Sequence, residues 1–313
     1  MRTLFLFIFC AGIFTFSYPL ITSAQIGSGS LTSDLSIQLD ERYPSPNTTI
    51  EASLSGHTIE GVRWFLNGFE ISDRPGLRSL SIPTGEAGVV QELEIRREGE
   101  LLTRHTFRPI HIDIGVDADT YTPPHYIGAS VPTAGAAVRL TALVTEHANI
   151  SDPSNYLYHW RINGQTFGGG PLTTHQIHAT VPNARNMFVE LRIIQPEVGT
   201  IGELSKTIPV KRSEVLFYEL HELYGLLPYT LSSLNQESQN RDILAAPYNA
   251  PLSGIQTENI TWRVDGRNAD SLPNQPLLIN PSTLTTGRGS SISFRLFDLS
   301  TLHNASAEIR TTN

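Results

Sequence analysis

The chain has 313 residues with Gly 24, Pro 20, a single cysteine and a formal net charge of −8. That length exceeds one ordinary domain and sets an expectation of two or three. Lysine is confined to Lys206 and Lys211; with no basic stripe, the charge pattern points away from nucleic acid, and the mild acidity reads as a solubility feature.

Residues 1–24 read as a signal peptide. Arg2 gives the positive end, an apolar run extends from Leu4 to Phe16, and Thr22-Ser23-Ala24 supplies small residues before Gln25. The other reading of this segment is a retained membrane anchor; Pro19 and the small residues after it favour cleavage. No second apolar stretch is long enough to span a bilayer. Cys10 lies inside the segment, so the cleaved chain has no cysteine. That removes disulfides, thiolate zinc sites and a cysteine nucleophile, and it leaves packing to hold the fold. A small exported domain without a disulfide framework points to bacterial export. Asn47, Asn149, Asn259 and Asn304 begin Asn-x-Ser/Thr sequons, at the frequency chance gives in so polar a chain.

Residues 25–33 are a Gly/Ser-rich flexible leader. Residues 34–109 then alternate as strands do. Leu35, Ile37 and Leu39 open, Tyr43-Pro44-Ser45-Pro46 turns, and Ile50, Ala52 and Leu54 follow. Val89, Gln91, Leu93 and Ile95 give a later strand, and the run from Leu101 to Phe107 closes the unit. Residues 110–211 echo this order. Ile112, Ile114 and Val116 open, Tyr121-Thr122-Pro123-Pro124 turns, Val138, Leu140 and Ala142 follow, and Met187 to Ile194 form a strong strand. Residues 212–313 open with Val215-Leu216-Phe217-Tyr218. Leu223 to Pro228 stands where the Tyr-Pro turn belongs, and the polar stretch from Ser232 to Asp242 reads as a loop or short helix. Ile292, Phe294 and Leu296 mark the late strand. Both junctions are short, so limited bending is expected.

One pattern recurs in all three units. It reads Trp64-Phe65-Leu66-Asn67-Gly68, Trp160-Arg161-Ile162-Asn163-Gly164 and Trp262-Arg263-Val264-Asp265-Gly266. These are the only three tryptophans, separated by 96 and 102 residues. The Trp and the apolar residue two positions on share one face of a strand. Asn-Gly and Asp-Gly favour a type I′ turn, whose central residues both need positive φ. The predicted element is a strand ending in a hairpin, with the indole between two sheets; truncating such a residue to Ala costs about 3–5 kcal/mol. Leu93, Leu191 and Phe294 fall 29, 31 and 32 residues after the respective Trp, a second landmark of the same repeat. The predicted fold class is all-β: three tandem immunoglobulin-like β-sandwiches in an elongated array.

On these hairpin residues, with Tyr158-His159-Trp160 as an aromatic-x-Trp entry, the chain resembles tandem immunoglobulin-like or PKD-like modules of bacterial exported proteins. The Asp-Phe-Gly-Asp continuation of the PKD hallmark and the cysteine pair of antibody domains are both missing. The resemblance implies roles in spacing, adhesion and assembly at the cell surface.

The chemistry-bearing residues form no catalytic signature. Gly-x-Ser-x-Gly, P-loop, Gly-x-Gly-x-x-Gly and His-Glu-x-x-His are all absent, and Gly225 stands where His221-Glu222 would need its second histidine. His175 and His178 would face opposite sides of a strand. Gly168-Gly169-Gly170 lacks the lysine of a phosphate cradle. Asp113, Asp117 and Asp119, at the first joint, are candidate Ca²⁺ ligands, because Ca²⁺ takes six to eight oxygens; ordinary surface carboxylates are the alternative. Tyr224 and its apolar neighbours read as core rather than as a contact patch. No cofactor is expected. The sequence therefore predicts a non-enzymatic, secreted or cell-surface protein. Its partner would be a protein or a glycan, and it would have no membrane contact once the signal is cleaved. The alternative is a carbohydrate-binding or accessory module serving a secreted enzyme.

Overall fold

The computed structural model describes residues 35–123, 126–146, 149–234, 241–280, 290–299 and 303–310. The signal peptide, the leader and most of the polar stretch 232–242 lie outside the described residues.

The first run of strands is β1 (Ser36–Leu39), β2 (Thr49–Ser55), β3 (Val62–Leu66), β4 (Phe69–Glu70), β5 (Ser79–Pro83), β6 (Gln91–Arg97) and β7 (Glu100–Phe107). They form two antiparallel sheets, β1-β2-β5 and β4-β3-β6-β7. Alternation sets the faces: Ile50, Ala52 and Leu54 of β2 point inward, as do Val62, Trp64 and Leu66 of β3.

The second run is β8 (His111–Ala118), β9 (Ala137–Glu146), β10 (Asn149–Ile150), β11 (Leu157–Ile162), β12 (Gln165–Thr166), β13 (Gln176–Thr180), β14 (Asn186–Gln195) and β15 (Gly199–Pro209). In one sheet β9 pairs with β8, β10 and β13; the other runs β12-β11-β14-β15. The third run is β16 (Glu214–His221), β17 (Gly225–Thr230), β18 (Asp242–Tyr248), β19 (Ile260–Val264), β20 (Arg267–Ala269), β21 (Leu278–Ile279), β22 (Ser291–Asp298) and β23 (His303–Arg310). Its sheets run β17-β16-β18-β21 and β20-β19-β22-β23.

Without β10 and β17, the three runs share one strand plan. The first, second and fifth strands make one sheet; the fourth, third, sixth and seventh make the other. Each run encloses its own apolar core. This is an immunoglobulin-like sandwich written three times, and the chain is all-β as its composition predicts.

Each tryptophan sits on the third strand of this plan, and the three are 0, 0 and 2% exposed. Directly opposite on the sixth strand stand Ile95, Leu191 and Phe294. The landmark read as Leu93 in the first unit is therefore Ile95. Leu93 is also buried, two residues along the same face.

The structure departs from the predicted elements at three places. Val89 precedes β6, which begins at Gln91. Leu223 to Pro228, standing in place of a Tyr-Pro turn, forms a hairpin tip and the first part of β17, which folds back on β16 as an added edge strand. Strand β18 has no counterpart among the predicted elements. Its Ala245-Ala246-Pro247 are weak strand formers, and pairing along the whole of β16 overrides that preference.

The indole nitrogens differ between units. Trp64 Nε1 donates to Leu77 O at 2.9 Å, and Trp262 Nε1 donates to Pro276 O at 2.9 Å. Trp160 Nε1 is buried with no partner among the described residues. In that unit Leu172 exchanges two backbone bonds of 2.8 Å with Tyr158, where the first unit has the single bond from Gly76 N–H to Val62 O. Trp64→Phe and Trp262→Phe strip a half-buried carbonyl of its donor, and Trp160→Phe does not. The first two substitutions are expected to cost about 1–2 kcal/mol more than the third, read from the midpoint of the affected transition in urea.

Candidate functional site

The three hairpins are built alike to the level of single atoms. Asn67, Asn163 and Asp265 adopt φ of 51, 49 and 51°, and Gly68, Gly164 and Gly266 follow at 82, 80 and 76°. Both central residues are left-handed, as a type I′ turn needs. The Asn or Asp then reaches the neighbouring strand twice. Its backbone N–H donates to the carbonyl of Glu92, Phe188 or Ser291, at 2.8, 2.8 and 2.9 Å. Its side-chain Oδ1 accepts from the N–H of that same residue, at 2.9, 2.9 and 2.8 Å. The side chain thus adds a rung to the ladder beyond the end of the third strand. Trp64, Asn67 and Gly68, Trp160, Asn163 and Gly164, and Trp262, Asp265 and Gly266 form three separate structural sites, one per core; the fold does not gather them into one.

The three aspartates expected at the first joint are not gathered either; Asp119 lies at the other end of β8, beside the second joint. Asp113 accepts from Lys206 Nζ at 2.9 Å, and the ammonium holds its carboxyl below the usual range. Asp117 pairs with Arg139. Asp119 lies past the end of β8, where its N–H donates to Ala137 O. Among the described residues no group of three His, Cys, Asp or Glu could hold a metal ion. His175 lies against the Tyr158 ring, with centroids 6.4 Å apart, and His178 is on β13.

The reading of Tyr224 as core is corrected. Leu223 and Tyr224 cap the β16–β17 hairpin and are 83 and 76% exposed, and Tyr229 on β17 is exposed as well. The tip is ordered by His221, whose Nδ1 accepts from the N–H of Leu223 at 3.1 Å and whose ring lies 4.7 Å from that of Tyr224. The run misleads because an edge strand with apolar residues has the composition of a core strand. Pro228 sits in the same outer strand, exposed.

A cleft of about 340 Å³ opens at the first joint between Arg42, Tyr43 and Pro44 on one side and Val198, Thr200 and Ile201 on the other. The joint also carries an ion pair, Arg108 to Glu146 at 2.5 Å, with Tyr156 Oη donating to Glu146 Oε1 at 2.9 Å. A group the sequence reading missed lies at the second joint: Tyr121 and Tyr126, from the loop after β8, meet Tyr218 and Tyr248. The ring centroids of Tyr126 and Tyr248 are 5.8 Å apart, and Tyr218 Oη to Tyr248 Oη is 2.5 Å. The signal for it was faint: Tyr121 and Tyr248 each stand two or three residues before a proline.

The displaced pKa values have ordinary causes. Burial raises Tyr121 and Tyr248, and it raises Tyr158 to about 12. Burial lowers His105 and His303, and Asp298 partly offsets this at His303.

No protein-family model matches the chain, and no curated protein does. Among solved structures it is similar to the central fibronectin-III array of RIM-binding protein, at 13% identity over 89% of this chain and 96% of that one, with a TM-score of 0.28. It is also similar to the Bacteroides ovatus mixed-linkage glucan utilization locus protein SGBP-B, solved with a mixed-linkage heptasaccharide. There the identity is 14% over 90 and 71% of the two chains, with a TM-score of 0.25. Three N-terminal domains of the bacteriophage RB49 outer capsid protein Hoc give 9% over 89 and 99%, with a TM-score of 0.26. At these scores none of the three bears on what this chain binds.

Two outcomes follow from the site geometry. Asn163→Ala leaves the exposed Phe188 N–H without its side-chain acceptor and is expected to cost about 0.5–1.5 kcal/mol. Asn163→Asp keeps the acceptor, as Asp265 does, and is expected to cost under half as much; chemical denaturation of both variants measures the difference. The second outcome concerns acid. His105 and His303 bind protons more readily unfolded than folded, so their contribution to stability is complete above the ordinary value of 6.5 and is lost as pH falls below it. The urea midpoint is expected to drop across that interval, and His303→Gln is expected to flatten the slope.

Proposed function

We propose that the chain is a non-enzymatic exported protein of the bacterial cell surface, a multi-module spacer serving structure, adhesion or appendage assembly. One observation carries this reading. The signature residues that recur in every unit are spent on the interior: the three indoles are buried, and each turn Asn or Asp is bonded to its own sheet. A repeat whose invariant features are all structural is a repeat of scaffold. The bacterial, PKD-like kinship belongs to the same proposal. It is supported by the hairpin motif and by the lack of any cysteine after Cys10. So does the secreted location, supported by the apolar N-terminal run with its small-residue stop.

The alternative, a glycan-binding accessory module, has one observation in its favour. Tyr224 is an exposed ring held by His221, and such a ring is a platform on which a sugar can stack.

Two measurements test the proposal. N-terminal sequencing of protein recovered outside the cytoplasm is expected to begin at Gln25; recovery in the cytoplasm with Met1 intact sinks the exported role. A glycan array is expected to show no specific sugar. Saturable binding that Tyr224→Ala abolishes would transfer the conclusion to the alternative.

A further inference from the structure

We infer that the second and third sandwiches are locked into one body by a strand-like clasp, and that bending of the chain is confined to the first joint. The inference goes beyond the spacer reading and stands whether the partner is a protein or a glycan.

The clasp is the start of the loop between β8 and β9. It lies antiparallel to the segment that follows β18 and makes three backbone bonds with it. Tyr121 N–H donates to Ala250 O at 2.7 Å, Asn249 N–H to Tyr121 O at 3.0 Å, and Leu252 N–H to Asp119 O at 3.2 Å. Thr120 and Pro251 form the bridge between them. The middle of the ladder is withdrawn from water, with Thr120 4% exposed and Ala250 0%, and its end at Asp119 and Leu252 is exposed. Paired and buried backbone of this kind is what joins strands within a sheet. Here it joins two sandwiches.

Side chains close over the ladder. Phe217 of β16 points into the third core, so Tyr218 points to the opposite face, where alternation would leave it in solvent. It is 3% exposed instead. Tyr248 covers it, with centroids 6.4 Å apart, and Tyr126 from the second sandwich lies edge-on against Tyr248. At the linker Lys211 N–H donates to Pro132 O at 2.8 Å, from the far end of the same loop, and so holds the linker to the second sandwich.

The first joint has the same parts and lacks the lock. The corresponding loop, between β1 and β2, spans residues 40–48, against 119–136 for the clasp loop. Its Tyr43-Pro44 faces the next sandwich across the open cleft. No backbone hydrogen bond between described residues links β1–β7 to β8–β15. The ion pair from Arg108 to Glu146 and the bond from Gly88 N–H to Pro109 O at 2.7 Å anchor the linker itself, as Lys211 does at the second joint. Neighbouring domains move relative to one another unless their interface prevents it, and the added loop length at the second joint supplies that restraint.

Pairs of spin labels on rigid strands test this in the full chain with Cys10→Ser. Ser79→Cys with Thr180→Cys spans the first joint, and Thr180→Cys with Ser306→Cys spans the second; all three positions are exposed on strands. Pulsed electron spin resonance is expected to give a distance distribution about twofold broader across the first joint than across the second. Tyr121→Pro removes the donor to Ala250, and Tyr126→Ala removes the ring against Tyr248. Each is expected to broaden the second distribution and leave the first unchanged. Tyr126 is partly exposed, so its variant keeps the test open if Tyr121→Pro fails to fold, as circular dichroism would reveal. Equal widths at the two joints of the unsubstituted chain overturn the inference. So does a second distribution that no folded variant broadens.

Discussion

Each sandwich depends on one contact, an indole on the third strand lying between two sheets that no covalent bond holds together. With no cysteine after Cys10, the two sheets stay together only through what fills the space between them. Burying a side chain of about 150–250 Å² at the centre sets the sheet separation and the register of the third and sixth strands at once. The turn residues Asn67, Asn163 and Asp265 then fix that register from the end of the strand, through paired bonds to the neighbouring backbone. Packing places the strands, and polar bonding at the turn stops them from slipping.

What was legible in the sequence was local. Trp, an apolar residue two positions on, and Asn-Gly declare a strand and its turn within five residues, because each constraint acts on its own backbone. Three copies of that signal at near-equal spacing carried the fold class. What stayed hidden was non-local. Nothing near Asn67 says that its side chain meets Glu92, 25 residues away. Strand β18, with Ala245-Ala246-Pro247, exists because β16 lies beside it, and a weak intrinsic preference gives no hint of that neighbour. The apolar run around Tyr224 shows the limit most clearly. Hydrophobic pattern reports that residues are apolar, and only the sheet order reveals that β17 is the outermost strand, with no neighbour to bury them. The tyrosines of the second joint are harder still, since they come from two sandwiches.

The middle unit is the least regular of the three. Among the described residues Trp160 Nε1 lacks the carbonyl partner that both its sisters have, and Leu172 of the neighbouring loop exchanges two backbone bonds with Tyr158. A sequence repeat at one strand does not force repetition in the loops, because loops answer to their own turn chemistry. The same freedom allowed the loop after β8 to lengthen and reach the next sandwich, while its counterpart after β1 stayed short.

The proline in the outer strand has a bearing on crowding. An uncovered sheet margin is a template on which another polypeptide can align, and the apolar side chains of β17 would make such growth favourable. Pro228 has no N–H to offer an adjoining strand. Where copies of the chain crowd together, this missing donor works against one sheet extending into the next, and a greasy margin is a poorer seed for a fibre.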